Sequence, residues 1–152
     1  IAGVGMEKAA NVEFNHIPFK GSSAAITSLL GKHLDAVSVS YAEVASQVDA
    51  GLLRTLAVLA PHRLSGAPDV PTAKELGYDV AIGTWRGYSV PVDTPDYIVN
   101  YLTDAILEAA KSDAFKTFMA VSNNDVDIIG PEEFEKKIQR EDKIYAELIS
   151  GL

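Results

Sequence analysis

The chain of 152 residues contains no cysteine. That excludes disulfides, thiol catalysis and sulfur-ligated zinc, and leaves the compartment open. Long apolar runs are missing too: none approaches the roughly 18 residues of a membrane-spanning helix. Basic residues are scarce, with 13 Lys+Arg against 21 Asp+Glu and a formal net charge of -8. Nucleic acid and anionic membrane are held by clustered Lys and Arg, so neither is expected as a partner. His16, His33 and His62 follow no metal-ligand spacing, and no metal site is expected. The Gly-x-Ser-x-Gly elbow of hydrolases and the Gly-x-x-x-x-Gly-Lys-Ser/Thr phosphate loop are both absent. Without a nucleophile, general base or cofactor motif, the sequence points to binding rather than chemistry, with no cofactor.

Charge is unevenly distributed. Residues 1–91 carry 7 Lys+Arg against 8 Asp+Glu, whereas residues 92–152 carry 6 against 13. An anion site is thus better accommodated in the first part, and the acidic second part reads as a solvated helical surface. Hydrophobic residues at 47% and charged residues at 22% suit a globular chain long enough to bury a core.

Periodicity organises the chain as strand–helix repeats. Helix-like residues through Ala10 lead into a strand at about Val12 to Pro18. Ser22 or Ser23 is placed to cap a helix that runs to Leu30 and stops at Gly31. A short strand at 34–39 precedes a helix capped by Ser40, covering Tyr41 to Ala50 and ending at Gly51. A third strand follows at 55–60. This alternation predicts βαβ units and a parallel sheet. Residues 61–71, with three of the seven prolines, read as loop. A short helix is expected over 71–77, extended structure over 80–90 and a hinge over 91–95. Two longer helices complete the chain. Ile98, Leu102, Ala105 and Ala109 share a face of the first; Phe134, Ile138, Tyr145 and Leu148 share a face of the last. A short strand at 126–129 lies between them. The opening residues 1–10 read like the later turns of a helix, as expected of a piece of a longer protein.

The most informative stretch is Ile17-Pro18-Phe19-Lys20-Gly21-Ser22-Ser23. It sets a helix N-terminus directly beyond a strand. The first N–H groups of a helix lack intrahelical partners and sit at the positive end of its dipole, so such a corner suits an anion. Ser40 and Tyr41 occupy the equivalent corner after the next strand. Ligands of open α/β sheets bind beyond the carboxyl ends of strands. Capping alone is the bland reading of both corners.

Several ordered motifs carry a family resemblance. They are Pro18 to Gly21, Gly31 with Leu34-Asp35, Ala50 to Val58, Arg63, Pro68 to Thr72 with Glu75 and Gly77, Trp85-Arg86-Gly87, and Pro91 with Thr94-Pro95. In these residues the chain resembles the C-terminal half of the substrate-binding receptors of tripartite tricarboxylate transporters, the TctC/Bug-type extracytoplasmic solute receptors. The resemblance spans nearly the whole chain. It implies an α/β fold of the type II periplasmic-binding-protein kind, a parallel-rich sheet flanked by helices within a partial two-lobe architecture. Residues 1–83 would be the larger part of the second lobe, 84–91 a crossover strand, and 92–152 C-terminal helices belonging to the first lobe.

The implied function is non-enzymatic capture of a small organic carboxylate (a di- or tricarboxylate, an acidic amino acid or an aromatic acid) in the periplasm or at the cell surface. The implied partners are the ligand, the transporter's membrane permease subunits and the missing N-terminal half of the same chain. Ligand contact falls on Phe19, Lys20, Gly21, Ser22, Ser23, Ser38, Ser40, Tyr41, Trp85 and Arg86. Arg86 offers the planar fork suited to carboxylates, although a hinge salt bridge would serve it equally. Many members place Gly or an apolar residue after the Lys-Gly turn, and an acid near the end of the next strand. This chain has Ser22-Ser23 and Ser38-Val39-Ser40 instead, which leaves the ligand's identity open. The rival readings are the effector domain of a transcription regulator with the same fold and an α/β enzyme.

Overall fold

Helix-forming runs punctuated by Gly, Ser and Pro become six helices in the computed structural model, which describes residues 1–150. They are α1 (Ala2–Ala10), α2 (Ser22–Leu30), α3 (Tyr41–Asp49), α4 (Asp96–Lys111), α5 (Asp113–Val121) and α6 (Pro131–Ile149). The chain divides into two compact units, Ile1–Thr84 and Trp85–Leu152.

In the first unit the core is small: Val4, Ile26, Val44, Ala45, Val58, Ala67, Ala73 and Val80 are buried, with Thr72. Helix α1 brings Gly5 against the side chains of Val80 and Ile82; a Cβ there would lie 2.7 Å from Ile82 Cδ1. Helix α3 ends in a Schellman motif. Leu52 N–H donates to the Gln47 carbonyl and Gly51 N–H to Val48, with Gly51 left-handed at φ 70°. Helix α2 stops at Gly31 as expected, but the left-handed step falls on Lys32 at φ 61°.

The strands are the main departure from the sequence reading. Among the described residues one parallel bridge forms, Val58 with Thr72. Val58 N–H donates to Pro71 and Ala73 N–H to Val58. The runs at 12–18, 34–39 and 126–129 form no strand, and Asp35 lies in a bend. An alternating apolar pattern favours an extended conformation, whereas a ladder also requires a neighbour about 4.8 Å away. Phe14 and Ile17 accordingly stay exposed.

The short helix expected over 71–77 is a run of turns instead. Glu75 carboxylate accepts Thr72 N–H at 2.7 Å, and Thr72 hydroxyl accepts Glu75 N–H at 3.1 Å. Arg63 Nε donates to both Glu75 oxygens at 3.0 Å, and its Nη1 to the Pro68 carbonyl. These side-chain bonds close the loop locally and leave the backbone in turns.

The second unit holds α4, α5 and α6. Where two long helices are expected there are three, because Ser112 adopts extended dihedrals and interrupts the run. Its hydroxyl donates to the Ala109 carbonyl of α4 and accepts Phe115 N–H of α5. One Ser thus closes one helix and opens the next. The more covered face of α4 runs through Ile98, Val99, Ile106 and Leu107, while Leu102, Ala105 and Ala109 are exposed. Helix α6 begins with Pro131 after Gly130, as the first-turn preference of proline predicts. No described helix is long and apolar enough to cross a membrane.

Candidate functional site

At 19–23 the helix begins where the sequence suggests, but no strand precedes it and the cap differs. The N-cap of α2 is Gly21, in extended backbone at φ 178°, and Ser22 is the first helical residue. Ser22 and Ser23 therefore do not cap. Ser22 hydroxyl instead donates to Glu43 Oε1, and Thr27 hydroxyl donates to the Ser23 carbonyl at 2.9 Å. A glycine N-cap has no side chain to accept from the first turn, so no side chain caps α2. Phe19, Lys20, Gly21 and Ser23 are exposed and Ser22 is half-buried.

The corner before α3 is arranged differently. Ser40 is its N-cap, as expected. Glu43, third residue of the helix, reaches back so that its Oε2 accepts Ser40 N–H at 3.1 Å. A carboxylate in the first turn also suits the helix dipole. The protein's own acid thus serves the end of α3 and lies beside that of α2, whose first backbone N–H groups receive no side-chain cap. Ser40 and Tyr41 are half-exposed and Ser38 is exposed. Through Glu43, residues Ser22 and Ser40 are joined by two hydrogen bonds to one carboxylate.

Trp85 and Arg86 belong to the second unit. Trp85 Nε1–H donates to Glu141 Oε2 at 2.6 Å. Its ring meets Phe134 edge-on, with centroids 4.9 Å apart and planes at 87°. Glu141 Oε2 also accepts Tyr145 hydroxyl at 3.1 Å, and Oε1 accepts Lys137 Nζ. Partial burial pushes Glu141 up, but the bonds from Lys137, Trp85 and Tyr145 outweigh it and hold the carboxyl below its ordinary value. Tyr145 is raised by burial and by the neighbouring Glu141 charge. Glu141 is therefore an exception to the solvated acidic face. Arg86 is exposed. Elsewhere, His16 Nε2 lies 3.0 Å from Glu7 Oε2 in the first unit.

Residues 3–151 match the model of the tripartite tricarboxylate transporter family receptor. The chain belongs to that receptor family. It is 37% identical over 101 residues to Protein BugT of Bordetella pertussis, covering 66% of this chain and 31% of BugT. A TctC solute binding protein from Polaromonas, solved without ligand, superimposes with a TM-score of 0.82 at 38% identity, covering 99% of this chain and 52% of that one. The periplasmic binding protein BugD superimposes equally well, at 0.82 and 27% identity, over 99% and 51% of the two chains. The fold is thus that of the TctC/Bug periplasmic binding proteins, as the sequence motifs implied. The chain spans about half the length of these solved structures and about a third of BugT.

For this receptor-family chain, sequence reasoning missed two residues. Glu43 was signalled by the Ser-x-x-Glu spacing of Ser40 and Glu43, the mark of a capping box. Glu141 was signalled only weakly, by Lys137 and Tyr145 one turn to either side. Its bond to Trp85 spans 56 positions, and no local pattern announces that.

Proposed function

We propose that the protein is the substrate-capturing receptor of a tripartite transporter, holding a small organic carboxylate outside the cytoplasmic membrane and presenting it to membrane permease subunits. Residues 1–83 act as the ligand-binding lobe, 84–91 as the crossover and 92–152 as helices of the other lobe. An N-terminal half like that of the longer relatives completes the cleft and supplies neighbours for the runs that form no ladder. The role is binding without turnover. Family membership favours it over the regulator and enzyme readings.

The contrast between the two corners carries the ligand class. Glu43 serves the end of α3, and the end of α2 has no side-chain cap. The free N–H groups of that first turn, with Lys20 beside them, are the donors for one ligand carboxylate. Phe19, Gly21, Ser22 and Ser23 shape this corner, Ser38, Ser40 and Tyr41 its neighbour. In the second unit, Arg86 offers a cation next to Trp85 in the chain.

A thermal-shift screen of the full-length protein, N-terminal half included, against succinate, glutarate, adipate, citrate and glutamate tests this reading. A solute at 100 times its Kd adds about 2.7 kcal/mol, several degrees for a domain of this size. The shift disappears in Ser22→Trp and Ser23→Trp. Turnover of the bound acid, or no shift with any of the five, overturns the receptor reading.

A further inference from the structure

Residues 85 and 87 both rest on α6, with residue 86 between them in the chain. Trp85 is held by Phe134 and Glu141. Gly87 lies so close to the same ring that a Cβ would sit 2.3 Å from Phe134 Cζ. Arg86 stands between these two anchors, exposed. It takes part in none of the ion pairs among the described residues, although residues 92–152 carry 13 acids against 6 bases.

Glu141 explains how a guanidinium stays unclaimed beside so acidic a helix. Its two oxygens already accept from Lys137, Trp85 and Tyr145. A carboxylate engaged by three donors, one of them a cation, has little left to offer a second cation. The carboxylate therefore anchors the indole, and the anchored indole sets the backbone on which Arg86 stands.

We propose that Glu141 is a positioning residue that acts through Trp85, fixing the 85–87 backbone on α6 so that the Arg86 guanidinium is presented to a carboxylate-bearing solute. The proposal rests on the receptor reading above. Glu141 itself does not touch the solute. A fixed backbone matters here because bidentate recognition requires both N–H groups of the fork to meet the carboxylate together.

The test compares wild type, E141Q, R86Q and the double variant. Affinity of the full-length protein, N-terminal half included, for succinate, glutarate, adipate and citrate is measured by calorimetry. The chain has a single Trp, so one indole N–H resonance reports the anchor. In E141Q that resonance moves upfield and affinity falls about tenfold, the scale of one lost hydrogen bond to a charged group. R86Q weakens binding at least as much, and E141Q adds nothing in the R86Q background, because coupled residues are non-additive. W85F, which keeps a ring but lacks the donor, reproduces the loss should E141Q fold poorly. Unchanged affinity in E141Q and W85F, or the same loss with and without Arg86, overturns the proposal alone. A wild type that binds none of the four acids overturns the receptor reading, and this proposal with it.

Discussion

Glu43 of α3 accepts the hydroxyl of Ser22, the first residue of α2, across 21 positions of sequence. Its other oxygen holds Ser40 N–H at its own helix end. One carboxylate thus ties the starts of two helices together. It also places a negative charge beside the end of α2, the place proposed for a ligand anion.

Removing that carboxylate has separable effects on stability and binding. Glu43→Ala is expected to cost about 1 kcal/mol, the usual value of a lost helix-terminal bond. Ser22→Ala costs a few tenths on the scale of exposed hydrogen bonds, and less still once Glu43 is gone. Urea unfolding of both single variants and the double variant measures this coupling. Glu43→Gln lowers negative charge at the corner and tightens binding of a carboxylate about two- to fivefold at low salt, an advantage that shrinks as salt rises.

Gly87→Ala strikes the other anchor. Its new Cβ would lie 2.3 Å from Phe134 Cζ, so the ring must leave its edge-on contact with Trp85. Overpacking of this kind costs about 1–3 kcal/mol. Phe134→Leu in the same chain relieves the clash, so the double variant is more stable than the sum of its single losses. Thermal unfolding of the three variants checks this.

Acid destabilises the protein through three carboxylates. Glu7 lies below its ordinary value because it accepts from His16 and from Phe14 N–H. Glu75 is lowered by its bonds from Arg63 and Thr72 N–H. Glu141 is lowered on balance, its hydrogen bonds outweighing burial. With folded values depressed, the unfolded chain binds more protons in acid. The contribution is complete above the ordinary carboxyl value of 4.5 and is lost as pH falls through the lower folded values. Urea midpoints measured from pH 7 to pH 3 fall in that window, and Glu75→Gln flattens part of the slope. Tyr145 acts oppositely: its raised value means stability is lost as pH rises above 10.

Much of the helical framework was legible locally. Gly31 and Gly51 stop α2 and α3, Ser40 caps α3, and Pro131 opens α6, because each is decided by backbone groups within one turn. Ser112 was equally local yet missed: a polar residue within a helical period is read as surface until its dihedrals show a double cap. The α4 face keeps Ile98 of the expected stripe but is otherwise covered at Val99, Ile106 and Leu107, with Leu102, Ala105 and Ala109 exposed.

The sequence by itself determined the ends of α2, α3 and α6 to within a residue or so, the family, and the helix start at Lys20 to Ser23. These follow from dihedral preference, capping chemistry and short-range periodicity, all carried by residues within a few positions of each other. Tertiary structure alone decided that the Ser22 hydroxyl serves Glu43 rather than its own helix end, that Trp85 rests on Glu141 and Phe134, and that one parallel bridge pairs Val58 with Thr72. Each of these joins groups 14 to 56 positions apart. Such contacts depend on which surfaces the packed chain brings together, and no single segment contains that information.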